Sequence, residues 1–321
     1  MKTKFYCMLS VVVCCLFEVS AEVDRQTFIY SIKDGDTLRL DKYETSQYVA
    51  EAKPCIIFVF GGSFMSGSRD ASQHVPFYEY FANQGYAVVA IDYRLGLKDV
   101  QKKIDMKRSR LKVFNAFVDH FEKAVSMAVE DLFDATRFVA EHAGEWHIDA
   151  QRITSCGSSA GAVTVLQGEY EICNRTPRAA ALPDGFNYAG VISFAGCIFS
   201  EGKVNWQTKP APILFFHGDA DRNVPYDRLK FLRFGLYGPK QLVKQMDEMQ
   251  SPYCFYSFEN AGHEIATTPM HQHPGEIKLF LDKFVNGKAN LFLNTVETSI
   301  GKPELKKKIK LKDCLKANFN Y

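Results

Sequence analysis

The chain has 321 residues, of which 46% are hydrophobic and 24% are charged. This balance is typical of a folded globular protein and excludes disordered and fibrous classes. The formal net charge of +2 provides no chain-wide attraction to nucleic acid. No internal stretch approaches the roughly 18 apolar residues that a membrane span requires. We therefore expect a small-molecule partner, with no nucleic acid bound.

The N-terminus has the pattern of a secretory signal peptide, predicted at residues 1–21. Lys2 and Lys4 precede an apolar run over residues 5–17, and small residues follow at positions 20 and 21, where a signal peptidase cleaves. A retained membrane anchor is the alternative. We predict a secreted or periplasmic mature chain without stable membrane insertion. Three of the nine cysteines leave with this segment, and the sequence does not specify any pairing among the other six.

The next residues predict an antiparallel hairpin, followed by alternating strands and helices. Residues 27–43 alternate apolar and polar around Asp34 and Gly35, a pair that accepts a tight turn. Short runs that are apolar on both faces, typical of buried parallel strands, follow at residues 55–60, 87–93, 153–156, 191–195, 213–216 and 254–258. Residues 111–143 carry an apolar stripe with helical spacing, in one helix or two. We predict one α/β domain over residues 22–321, with a mostly parallel twisted sheet, an N-terminal antiparallel hairpin and helices on both faces.

A candidate nucleophile lies in the sequence Gly157-Ser158-Ser159-Ala160-Gly161. The run at 153–156 precedes it and a helix-compatible stretch follows, which is the context that the G-x-S-x-G motif requires. In that context a sharp turn exposes the serine hydroxyl, and the two glycines admit neighbouring backbone. Ser159 is therefore the candidate nucleophile, with an ordinary turn as the alternative.

A serine nucleophile needs a histidine base and an orienting carboxylate. Asp219 and Asp221 both follow the run at 213–216, and their spacing does not rank them. His263 follows the run at 254–258 and is the candidate base. His271 and His273 would form a metal site only with further ligands that the sequence does not offer, so we expect no metal.

The oxyanion of an acyl-transfer intermediate needs hydrogen-bond donors that are already in place. The backbone amide of Ala160, directly after the nucleophile, is one candidate. Gly62 and Ser63 supply the others, because they follow the run at 55–60 within a Gly-Gly loop whose amides can face a cleft. A flexible turn without this role is the alternative.

Together these motifs resemble the carboxylesterase and hormone-sensitive-lipase-like branch of the α/β-hydrolase superfamily, which includes exported bacterial esterases acting on plant-polysaccharide esters. The resemblance spans roughly residues 55–280 and includes the glycine loop, the stretch Ile91-Asp92-Tyr93-Arg94-Leu95, the residues leading into the serine turn, and the aspartate and histidine loops. It implies Asp221 as the acid and chemistry without a cofactor. Phe60, Ser63 and Ser158 depart from the usual residues of the family, which weakens the inference about substrate but removes no triad member.

The resemblance implies a serine carboxylic-ester hydrolase that forms an acyl-enzyme on small or glycan-linked esters, acyl or feruloyl. The alternatives are a prolyl-oligopeptidase-like serine peptidase and a non-catalytic binding module of the same fold. Residues 96–121 and 198–210, with Trp206, are possible cap elements over an acyl pocket. Residues 288–321 form a basic C-terminal extension, whose lysines indicate a solvated amphipathic helix or contact with an anionic surface. The sequence does not predict an oligomeric state.

Overall fold

The computed structural model describes residues 22–46, 50–105, 107, 109–298 and 303–319. The predicted signal peptide at residues 1–21 lies outside these described residues. The strands are β1 (Val23–Lys33), β2 (Asp36–Thr45), β3 (Lys53–Val59), β4 (Ala87–Ile91), β5 (Ile148–Ser158), β6 (Gly190–Phe194), β7 (Ile198–Phe199), β8 (Ile213–Gly218), β9 (Arg228–Phe231), β10 (Phe234–Tyr237), β11 (Tyr253–Glu259) and β12 (Phe292–Thr298).

The helices alternate with these strands along the chain. They are α1 (Val75–Asn83), α2 (Val100–Lys103), α3 (Arg110–Glu141), α4 (Ala160–Cys173), α5 (Pro239–Met249), α6 (Thr268–Gln272), α7 (Pro274–Phe280) and α8 (Leu311–Phe319). Short 3₁₀ turns cover Pro177–Ala181 and His263–Ala266, and a π-helical turn covers Leu281–Asn286. No helix within the described ranges is long and apolar enough to cross a membrane.

The main sheet has nine strands in the order β1-β2-β4-β3-β5-β6-β8-β11-β12. β1 pairs antiparallel with β2, and β2 pairs antiparallel with β4, whereas the remaining pairs are parallel. Asp34 and Gly35 form the predicted hairpin turn with φ of 52° and 85°. All six predicted apolar runs are strands of this sheet. The predicted mostly parallel sheet with an N-terminal hairpin is therefore confirmed.

The middle of the sheet is covered on both faces. Every residue of β4, β6 and β8 is buried, although successive side chains point to opposite faces. The predicted helical stripe at 111–143 is a single 32-residue helix, α3, which packs against α4 and β1. Since parallel strands end at the same edge, the loops after β3, β5, β8 and β11 converge there.

An ion-pair cluster that is buried at Arg94 and Asp131 joins the hairpin turn, the segment after β4 and helix α3. The guanidinium of Arg94 donates to both carboxylate oxygens of Asp131, at 2.8 to 3.0 Å, and Asp131 is fully buried. Arg94 also donates to Asp34 in the turn of the hairpin, at 2.6 Å. The edge hairpin is thereby tied to the core of the domain.

The segment predicted as a basic C-terminal extension contains a further strand of the main sheet. β12 pairs parallel with β11 and forms the last strand of the main sheet. Of the described residues in the basic stretch that follow β12, only 311–319 are helical. Among the described residues the six cysteines are all buried and unpaired.

Candidate active site

The serine turn has the geometry that its sequence predicts. Ser159 joins the end of β5 to the start of α4 with φ of 51° and ψ of −116°, a strained conformation for a residue with a side chain. A methyl group at Gly157 would lie 2.3 Å from the carbonyl oxygen of Gly161, and one at Gly161 would lie 2.0 Å from that of Val59. Only glycine therefore fits at these two positions.

The structure brings the three predicted catalytic side chains into one chain of contacts. Ser159 Oγ lies 2.8 Å from His263 Nε2, and His263 Nδ1 lies 2.8 Å from Asp221 Oδ2. An ionised carboxylate only accepts hydrogen bonds, so Nδ1 carries the proton and Nε2 is free to accept one from the serine. This arrangement matches the geometry of a Ser-His-Asp triad.

The carboxylate of Asp221 is buried but well supplied with donors. Its Oδ1 accepts hydrogen bonds from the backbone amides of Asn223 at 2.8 Å and Val224 at 3.0 Å. Burial alone would raise the pKa of Asp221, but the hydrogen bond and charge of His263, with the charge of His217, outweigh it and lower the pKa. Asp221 is therefore an anion at neutral pH, as an orienting group must be.

The rival carboxylate faces away from the base. Asp219 accepts a hydrogen bond from the backbone amide of Asn260 at 2.7 Å and pairs with Lys307 at 2.8 Å. It thus holds the loop that carries His263 without contacting its imidazole. The distances therefore favour Asp221 over Asp219 as the candidate acid.

His217 lies behind Asp221, where it supports the acid loop. Its Nε2 donates to the carbonyl oxygen of Val224 at 3.1 Å and lies 3.5 Å from Asp221 Oδ2. Burial lowers the pKa of His217, although Asp221 opposes this shift. His273 lies near the carboxylates of Glu276 and Glu297, at 3.3 and 3.5 Å. No cluster of three metal-ligating side chains occurs within the described ranges.

The glycine loop after β3 lies directly against the nucleophile. A methyl group at Gly61 would lie 3.1 Å from Ser159 Cβ. Gly62 and Ser63 have positive φ angles of 127° and 54°, and no acceptor among the described residues bonds their amides. Ala160 is the first residue of α4, where an amide has no partner within the helix. The three predicted oxyanion donors therefore come from the two loops that meet at Ser159.

Two cavities of different character flank Ser159. The first is a small apolar cavity of about 40 Å³. Its lining comes from the glycine loop, α3, the serine turn, the acid loop, β10 and α8, namely Ser63, Phe64, Phe117, Phe121, Ser159, Ala160, Val163, Cys197, Asn223, Val224, Phe234, Leu236, Cys314, Leu315 and Asn318. The second, here called the polar cleft, is an open space of about 280 Å³ on the side of His263, and Ser68, Gln73 and His74 give it a more polar lining than that of the apolar cavity.

The apolar cavity has walls that the sequence indicated only in part. β7, β9 and β10 form a small antiparallel sheet, and the aromatic rings of Phe117 and Phe121 on α3 pack against Phe234 in it. The end of the predicted cap at 96–121 thus lines the cavity. Trp206, expected in the same cap, instead packs against Tyr170 and donates a hydrogen bond to Gln245. It is not among the residues that line the cavity.

Helix α8 is the part of the site that the sequence analysis missed. Its side chains Cys314, Leu315 and Asn318 line the apolar cavity. Leu311, Cys314 and Leu315 have the spacing of one helical face, which was a detectable signal within the lysine-rich segment. Their position beside the cavity at Ser159 depends on the tertiary path of the chain, which sequence spacing does not reveal.

Comparison with known proteins supports an esterase relationship over part of the chain. The family model described as BD-FAE matches residues 40–103. Gut esterase 1 of Caenorhabditis briggsae is 35% identical over 147 residues, which cover 43% of this chain and 21% of that protein. The chain thus spans about a fifth of the length of the curated relative that it matches.

Solved structures of an esterase share the fold. Thermogutta terrifontis esterase 2 phosphorylated by paraoxon superposes with a TM-score of 0.56 at 21% identity, covering 83% of this chain and 95% of that one. The same esterase with butyrate bound gives a TM-score of 0.57 at 22% identity, covering 85% and 96%. This likeness shows that the chain has the α/β-hydrolase fold predicted from its motifs.

Proposed function

We propose that this chain of α/β-hydrolase fold is a serine carboxylic-ester hydrolase that forms an acyl-enzyme on Ser159. The observation that carries the proposal is the continuous contact from Ser159 Oγ through His263 to Asp221, at 2.8 Å each. Ser159 lies at a strained turn beside glycine-loop amides that bond no acceptor in the described part of the chain, which supports acyl transfer rather than simple binding. The partial match to Gut esterase 1, described above, supports an ester as the substrate.

The proposed reaction uses these contacts. His263 Nε2 takes the proton of Ser159 as Oγ attacks the ester carbonyl, and Asp221 stabilises the imidazolium that forms. The amides of Gly62, Ser63 and Ala160 hold the oxyanion of the tetrahedral intermediate. His263 then returns the proton to the leaving alcohol, and the carbonyl re-forms as the acyl-enzyme. Water repeats the sequence, which releases the acid and regenerates the serine.

We propose that the two cavities hold the two halves of the ester. The apolar cavity suits an acyl chain, and the open polar cleft suits an alcohol, which includes a sugar. The apolar cavity has a volume of only about 40 Å³, a few times the roughly 10–15 Å³ that one water molecule needs. Such a narrow space favours short acyl groups, acetyl to butyryl, over a bulky feruloyl group. We therefore propose short-chain acyl esters as the substrates, with the polysaccharide as one candidate for the alcohol.

The test is hydrolysis of p-nitrophenyl acetate and butyrate by the parent chain and by Ser159→Ala. We expect the substitution to reduce kcat by at least about a thousandfold, since the nucleophile is lost. Ser158→Ala is the matched control. Its hydroxyl donates to the carbonyl oxygen of Ala266 at 2.8 Å and not to His263, so most of the activity should remain.

Labelling with paraoxon separates the proposal from its alternatives. The proposed mechanism predicts one diethylphosphoryl group on the parent chain, detected by mass spectrometry, and none on Ser159→Ala. A parent that is labelled but hydrolyses no ester would favour an amide substrate and a peptidase. A parent that is neither labelled nor active would favour a binding module and would overturn the proposal.

A further inference from the structure

Helix α8 presents one face to the apolar cavity and the other to solvent. Cys314 is 4% exposed, and Leu315 packs against the core. Lys312 and Lys316 are exposed on the opposite face. The helix is therefore amphipathic, and its apolar face covers the apolar cavity beside Ser159.

Polar contacts fasten α8 to two of the loops that form the site. Ser63 Oγ donates to Asn318 Oδ1 at 3.1 Å, which ties the helix to the glycine loop. Asn318 Nδ2 and Cys314 Sγ donate to the carbonyl oxygen of Asn223, at 2.9 and 3.1 Å, which ties it to the acid loop. Because these contacts come from both sides of the nucleophile, the helix lies across the apolar cavity in a defined register.

The other walls of this cavity belong to the core of the domain. Phe121 on α3 packs edge-on against Phe64 and Phe234, and all three rings are buried. These walls cannot move outward without repacking the interior. Leu315 lies on a short surface helix and is only partly buried. It is therefore the wall position where a change of side-chain volume alters the cavity at least cost to the fold.

We propose that α8 sets the acyl-chain limit of the enzyme, with Leu315 as the main specificity-determining residue. This inference rests on the proposed function, and it assigns to the C-terminal helix a role in substrate selection. With Leu315 in place the cavity has a volume of only about 40 Å³, which favours a short acyl group. A shorter side chain extends the cavity outward between Cys314 and Asn318, and a larger one shortens it.

The experiment compares kcat/KM for p-nitrophenyl acetate, butyrate and octanoate across variants of the full chain. Leu315→Ala should raise the octanoate-to-acetate ratio at least tenfold over the parent. Leu315→Trp should lower the butyrate-to-acetate ratio at least tenfold while acetate turnover continues. Each ratio is taken within one preparation, so a smaller folded fraction cancels. Lys316→Ala, on the exposed face of the same helix, is the matched control and should leave both ratios unchanged.

Opposite shifts in the two Leu315 variants would establish the role of α8. Unchanged ratios in both variants, with acetate still hydrolysed, would overturn this inference and leave the proposed esterase intact. A parent chain that hydrolyses none of the three esters would overturn both. The ester panel therefore distinguishes failure of the specificity assignment from failure of the function on which it rests.

Discussion

Replacing Asp221 with asparagine tests how the site holds its histidine. Asp221 Oδ1 accepts two backbone amides of its own loop, so the oxygen of an asparagine would keep that position. Its NH₂ group would then face His263 Nδ1, which could meet it only as an acceptor. The imidazole proton would move to Nε2, and His263 could no longer take a proton from Ser159.

The expected loss in kcat is about 10⁴-fold, which is the effect of the same substitution in a serine-protease triad. This corresponds to about 5 kcal/mol at about 1.36 kcal/mol for each factor of ten. KM should change little, because Asp221 does not line the apolar cavity. The assay is hydrolysis of p-nitrophenyl acetate at neutral pH, with circular dichroism to verify folding.

Asp219→Asn is the matched control, two residues away in the same loop. Its carboxylate contacts Asn260 and Lys307 rather than His263, so we expect a loss in kcat of less than about tenfold. A larger loss in Asp219→Asn than in Asp221→Asn would refute the assignment of the acid. Full activity in both variants would refute the triad.

Three further predictions concern folding and acid stability. Gly161→Ala would place a methyl group 2.0 Å from a backbone carbonyl oxygen, so we expect little soluble protein, whereas Gly144→Ala meets no atom within 4 Å and should express normally. Asp131→Ala leaves the guanidinium of Arg94 without its buried partner, and the free energy of unfolding from urea titration should fall by about 3 kcal/mol. Burial lowers the pKa of His74 to about 4, below its unfolded value of about 6.5, so its neutral form stabilises the fold above about pH 6.5. That stabilisation, about 3 kcal/mol, should be lost as the pH falls toward 4. His74→Gln should flatten this part of the curve of unfolding free energy against pH. An unchanged slope would contradict the role given to His74.

The central sheet was predictable because its strands are apolar on both faces. The runs at 55–60 and 213–216 correspond to β3 and β8, each within about two residues at either end. The edge strand β12 was not predicted, because it lacks this apolar pattern. Its residues are mostly exposed, so burial imposes no pattern on the sequence, and only pairing with β11 makes it a strand.

The site was predictable where chemistry imposes a local motif. The serine turn needs glycines at 157 and 161, and those glycines are visible in the sequence. The choice between Asp219 and Asp221 depends on where the loop directs each side chain, which spacing does not encode. The contribution of α8 depends on contacts more than 90 residues apart in sequence, such as Asn318 with Asn223. Neither the choice of aspartate nor the contribution of α8 could be predicted from a local sequence pattern.

The contrast between the two sides of Ser159 has a consequence for the products under the proposed mechanism. The apolar cavity is filled by the acyl group until deacylation, so the second nucleophile enters through the polar cleft beside His263. The departing alcohol leaves by the same route. A cleft of about 280 Å³ does not select water over a small alcohol by size. An added alcohol such as methanol should therefore intercept the acyl-enzyme, so that part of the turnover becomes transesterification.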